Sequence, residues 1–154
     1  MRRHTLEDIM IESLRGYTSP SMITDTAVRD SLNAFITETL AGLSTPGSDV
    51  AKLFASPDVA ISGSGLDEYF MGPDAAQSGI SLVTTSKVRW EPRVVVSWMR
   101  DQIAWAQIRI DAHTVENGTP VVVPYVTIGI FERNGDEWGW LYWGGGEPQR
   151  QPRL

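Results

Sequence analysis

Apolar residues recur at helical spacing in the first half of the chain and at strand spacing in the second, the change falling near residue 87. Leu6, Ile9, Met10 and Leu14 form one stripe behind Thr5, which predicts a short helix over 5–16 ended by Gly16. From about Thr24, the residues Val28, Leu32, Phe35, Ile36, Leu40 and Leu43 predict a longer helix that Pro46-Gly47 stops. Ser48 is placed to cap a third, short helix carrying Val50, Leu53 and Phe54, closed by Pro57. Short strands around Val59–Ile61 and Tyr69–Met71 flank Gly63-Ser64-Gly65. Gly72-Pro73 then opens a helix with Ala76, Ile80 and Val83 on one face.

The rest of the chain reads as β structure. All six tryptophans lie there, and aromatic and β-branched residues favour pleated, half-buried surfaces, so strands are predicted near 87–99, 102–116, 120–133 and 137–145. Asn117-Gly118 and Asn134-Gly135 are dipeptides that primed hairpin turns demand, and Arg100-Asp101 is a weaker two-residue turn.

Those turns fix which residues share a face. One face carries Trp90, Val94, Val96, Trp98, Ile103, Trp105, Gln107, Arg109, Asp111, Val126, Ile128, Ile130, Leu141 and Trp143. The other carries Ala104, Ala106, Ile108, Ile110, Tyr125, Thr127, Phe131, Trp138, Trp140 and Tyr142. Both are too apolar for a sheet with one wet side. The first is expected under the helices. Part of the second, at Tyr125, Thr127, Trp140 and Tyr142, is expected to be a homodimer surface, because Trp and Tyr are enriched at interfaces.

Composition narrows the possible roles. A chain of 154 residues with 42% hydrophobic and 21% charged positions suits one globular domain. Its net charge of −6 argues against nucleic-acid binding, which needs clustered basic surface. No apolar run approaches the roughly 20 residues of a membrane span, and Glu7, Asp8 and Glu12 interrupt what would be a secretory h-region. With no cysteine for a disulfide or thiolate site, the expectation is a soluble, cytoplasmic protein. No cofactor or metal is expected: Gly144-Gly145-Gly146 lacks a following helix or Lys, and His4 and His113 are too few for a histidine-rich centre.

Helices, a small hairpin, another helix and four long strands is an order that resembles the nuclear transport factor 2 superfamily. The segments Ser64-Gly65-Leu66-Asp67-Glu68-Tyr69-Phe70 and Gly72-Pro73-Asp74-Ala75 resemble its SnoaL-like members, as does the closing run from Ile130 to Pro148. The resemblance covers roughly 24–148. It implies an α+β fold, a cone-shaped, strongly curved antiparallel sheet wrapped around helices with an internal pocket. Residues 1–23 then form an N-terminal helical extension and 149–154 a tail. Family members often carry two histidines on the last strand, where this chain has Tyr142 and Gly144.

Gln107-x-Arg109-x-Asp111 places an amide, a guanidinium and a carboxylate on one side of a central strand. An Arg beside an Asp keeps the carboxylate ionised, which suits a general base, and an ion pair at the cone mouth is the structural alternative. The pair also resembles part of the limonene epoxide hydrolase site, an Arg and two Asp residues, whose third member falls near Trp143 here. Asp67-Glu68 reads as a solvated turn or a carboxylate pair, and His113 as a proton relay or an exposed side chain. Trp90, Trp98, Trp105, Gln107, Tyr69, Ile128 and Trp143 are expected to line a pocket for a small hydrophobic or aromatic molecule. The function read from these residues is small-molecule binding. The alternatives are a cofactor-free hydrolase or isomerase with Asp111 as base and Arg109 orienting it, and a dimerising module.

Overall fold

The computed structural model describes residues 16–147. The predicted helix over 5–16 and the tail at 149–154 lie outside the described residues.

Helix α1, Thr26–Leu43, starts where Asp25 accepts a hydrogen bond from the Val28 amide at 3.1 Å. Its stripe of Leu32, Phe35, Ile36, Leu40 and Leu43 is buried as the period requires. The helix stops before Pro46-Gly47, because the Ser44 and Thr45 hydroxyls donate to the last carbonyls, of Leu40 and Ala41. The third helix is a 3-10 turn, Val50–Leu53. Asp49 occupies its cap position, while the Ser48 hydroxyl donates to Gly42 O at 2.6 Å. Strands β1, Ala60–Ser62, and β2, Tyr69–Met71, precede helix α2, Pro73–Thr84. Four long strands follow: β3 Arg89–Arg100, β4 Ile103–Glu116, β5 Thr119–Asn134 and β6 Glu137–Gly146.

They form one open sheet in the order β2-β1-β6-β5-β4-β3, antiparallel except where β1 lies parallel to β6. The curved sheet wraps around the helices, which is the expected α+β cone. Asn117 and Gly118, both at positive φ, make the predicted primed turn. The other two turns fall one residue later than predicted, at Asp101-Gln102 and Gly135-Asp136, so pairing shifts by two residues and faces are preserved. Before β3, Ser21 O accepts from the Met99 amide at 2.8 Å and the Ile23 amide donates to Ser97 O at 3.2 Å, with Met22 bridged to Trp98.

Which face looks inward is the reverse of the expectation. Ala104, Ala106, Ile108, Ile110, Phe131, Trp138 and Trp140 are buried with Leu32, Phe35, Ile36 and Leu40 of α1. Helix α1 approaches most closely at β3, where the Trp90 amide donates to Ser44 Oγ at 2.8 Å beyond the helix end, while Ala104 and Ala106 on β4 share the buried face with the large rings of β5 and β6. Trp140 is the centre of the core. Its ring lies 4.5 Å from that of Phe131, 4.7 Å from Trp143 and 5.3 Å from Phe54, stacked on the last two.

Two bulges then break the alternation. Between Pro92 and Val94 the β3 register slips against β4, and Pro92 has no amide to contribute to the ladder there. The second lies where Ile130 pairs Tyr142 but Phe131 pairs Trp140, leaving Leu141 as the extra residue.

Candidate ligand cavity

A cavity of about 250 Å³ lies between the inner sheet face, the end of α1 and helix α2. Leu43, Ile80 and Val83 close it from the helices, and Trp90, Ile110, Tyr125, Thr127 and Trp143 from the long strands. Ser62, Ser64 and Glu68 stand at the turn between β1 and β2. The bulges build it. Beyond Pro92, Trp90 pairs Ala112 and so joins the side of Ile110; beyond Leu141, Trp143 pairs Gly129 and turns inward beside Trp140. Trp90 and Trp143 therefore reach the cavity as expected, although the strands they belong to face the other way.

Four indoles sit on the inner side, and their N–H groups fare differently. Trp138 donates to Ser31 at 2.8 Å and Trp140 to Thr39 at 3.0 Å, both hydroxyls on α1. The indole nitrogens of Trp90 and Trp143 are buried and have no hydrogen-bond partner within the protein. The Tyr125 ring lies 5.3 Å from that of Trp90, and its hydroxyl is 3.4 Å from Glu147. Burial pushes the phenol pKa up, and the nearby Glu147 and Glu68 carboxylates push it further, so Tyr125 stays a protonated donor at neutral pH.

Glu68 is held by its turn. Gly63 N donates to Glu68 O at 2.8 Å and Glu68 N to Gly65 O at 3.2 Å. The Glu68 side chain folds against Gly63 and Gly65, where any Cβ would collide with it. Glu68 is the one charged residue lining the cavity among the described residues; Asp67 is not part of the wall.

Most of the other expected pocket residues stand on the outer face. Trp98 and Trp105 pair across β3 and β4 and stack with centroids 6.4 Å apart. Gln107 and Ile128 pair beside them and are exposed, Ile128 at 53%. Tyr69 on β2 is 67% exposed and outside the cavity wall. Arg109 and Asp111 are also outward, Arg109 opposite Val94 and Asp111 opposite Glu91.

There Asp111 meets Arg93 at 3.5 Å. Glu91 meets Arg93 at 2.8 Å, Arg89 at 3.0 Å and His113 at 3.6 Å. Hydrogen bonds from Arg89 and Arg93 hold the Glu91 carboxyl below its usual range. Glu91, Asp111 and His113 offer donor atoms within 4.8 Å of one another, but the arginines already balance both carboxylates, so this is an ion-pair network.

The expected dimer residues also separate. Trp140 and Thr127 are buried, Tyr125 lines the cavity, and only Tyr142 is both outward and exposed. The signal that could have set the phase is on β4. Gln107, Arg109, Asp111 and His113 alternate with Ala106, Ile108, Ile110 and Ala112, which is the wet-out, dry-in pattern of a half-buried strand.

No family model and no curated protein matches the chain in sequence. Solved structures do match in shape. A provisionally named dehydratase of the NTF2-like family from Streptomyces avermitilis superimposes with a TM-score of 0.70 at 13% identity, covering 83% of this chain and 100% of that one. The fold is the NTF2-like cone. A protein with a cystatin-like fold from Caulobacter vibrioides gives a TM-score of 0.65 at 11% identity, over 79% of this chain and 89% of that one. A protein from Catenulispora acidiphila, solved in complex with S-DNPA, gives a TM-score of 0.67 at 14% identity, over 80% of this chain and 95% of that one.

Proposed function

We propose that this protein is a small-molecule-binding cone of the SnoaL-like kind, its ligand held in the cavity walled by Trp90, Tyr125 and Trp143. The observation that carries the reading is a hollow with three aromatic walls and a few convergent polar groups, the composition of a ligand site. The Catenulispora acidiphila neighbour, solved with a bound small molecule, supports it. A broad thermal-shift screen tests it. A ligand present at 100 times its Kd stabilises by about 2.7 kcal/mol, or roughly 5–10 °C in Tm for a domain of this size. Val83→Trp, which fills the cavity from α2, should abolish the shift while leaving the unliganded Tm within a few degrees. A library in which nothing stabilises the wild type would end the binding reading.

An enzymatic use of the same cavity would take Glu68 rather than Asp111 as its base, since Glu68 is the carboxylate at the wall. Glu68→Gln should then remove turnover of a bound substrate and keep its affinity, whereas Asp111→Asn should leave turnover intact.

The homodimer belongs to the outer face in this reading. Ile103, Val126, Ile128 and Tyr142 are exposed there on the face of the stacked Trp98 and Trp105, an apolar surface of the kind that marks an interaction site. Ile128→Glu should yield a monomer in sedimentation velocity; a persistent dimer would move the interface elsewhere.

A further inference from the structure

Resting on the cavity as a binding site, we infer that its ligand is a neutral molecule of one or two rings bearing a carbonyl-type oxygen, which the Trp90 and Trp143 N–H groups receive. Four indoles share the inner side of the sheet, and α1 supplies hydroxyl acceptors for two of them, Ser31 for Trp138 and Thr39 for Trp140. The remaining two line one cavity, and both nitrogens are buried without a partner in the protein. More than about 90% of buried polar groups in native proteins are paired, and each unpaired one costs about 1–3 kcal/mol. Two orphans on residues that line one cavity, one from β3 and one from β6, call for a partner from outside the chain.

An indole nitrogen only donates, so the partner must accept. This decides against a cation that carries no acceptor atom, which three aromatic rings would otherwise suit. The charge at the wall decides against an anion. Glu68 is the only charged lining residue among those described, and Glu147 stands beside Tyr125. A carboxylate or phosphate would enter against like charge with no lining cation to offset its desolvation. Size sets the rest: about 250 Å³ is below the range of about 300–1,000 Å³ typical of drug-sized ligands.

Calorimetric titration at pH 7.5 with three probes of one shape tests the inference: tetralin, 1-tetralone and 1,2,3,4-tetrahydro-1-naphthoate. Neutral hydrogen bonds contribute about 0.5–1.5 kcal/mol each, so 1-tetralone should bind about 5–10-fold more tightly than tetralin. The naphthoate should bind at least about tenfold more weakly than the ketone, by the same like-charge argument, and Glu68→Gln should narrow that gap. Trp143→Phe and Trp90→Phe keep an aromatic ring and remove the N–H. Each should weaken 1-tetralone toward tetralin and leave tetralin unchanged.

Equal affinity of tetralin and 1-tetralone for the wild type would overturn the acceptor inference and leave the cavity reading standing. Naphthoate binding as tight as that of the ketone would overturn the charge selection. Binding of none of the three up to their solubility would overturn both the inference and the reading beneath it. If one Trp→Phe variant fails to fold, the other variant and the wild-type probe series still decide.

Discussion

Trp140→Ala should destabilise the protein by about 3–5 kcal/mol, read as a lower urea midpoint with an unchanged slope. The ring is 1% exposed, touches those of Phe35, Phe54, Phe131 and Trp143, and donates to a threonine hydroxyl that itself donates to Phe35 O. Truncation leaves a hole among groups fixed on three elements, so little collapse can relieve it. Trp98→Ala is the control. Its ring lies on the outer face, stacked mainly on Trp105, and the same truncation there should cost well under half as much in the monomer. Equal losses at the two sites would contradict the inward phase of β6.

The second large effect is expected at Gly145, whose φ of +132° lies where L side chains rarely go. A Cβ there would collide with the Val126 carbonyl oxygen and come within 2.7 Å of Thr127 Cα, both backbone atoms of the paired strand. Since backbone cannot swing aside as a side chain can, Gly145→Ala should cost about 2–4 kcal/mol from strain and overpacking together. Gly145 also lines the cavity, so any surviving folded protein should bind ligand more weakly. An alanine variant with unchanged urea midpoint would show that this part of the β5–β6 ladder is looser than the geometry states.

Much of the architecture was legible because it rests on local chemistry. Period, caps and turn dipeptides put every described helix and strand within a few residues of its place, and Asn117-Gly118 fixed one hairpin outright. Sheet phase was harder, because both faces of β3–β6 are apolar and tryptophans look like core wherever they stand. Small residues, not large ones, marked the buried side of β4: Ala104, Ala106 and Ala112 are buried, while Trp105 between them faces outward with Trp98. The bulges at Pro92–Val94 and Leu141 were invisible to strict alternation, yet they rotate Trp90 and Trp143 into the cavity. Those two residues were expected in the right place because a reversed face and an unseen bulge cancel. Arg109 and Asp111 have no bulge between them and their strand's reversal, so they stand outside.

The short stretch from Ser21 to Ile23 has a further consequence. β3 is the border of the sheet, and a bare border invites another chain to extend the ladder without limit. One end of that border is already taken by the chain's own Ser21–Ile23 backbone against Ser97–Met99. At the other end, the kink at Pro92 and the charges of Arg89, Glu91 and Arg93 make it a poor template. The sheet is thereby guarded against runaway strand addition, the first step towards fibrous aggregation, at both ends of its longest open side.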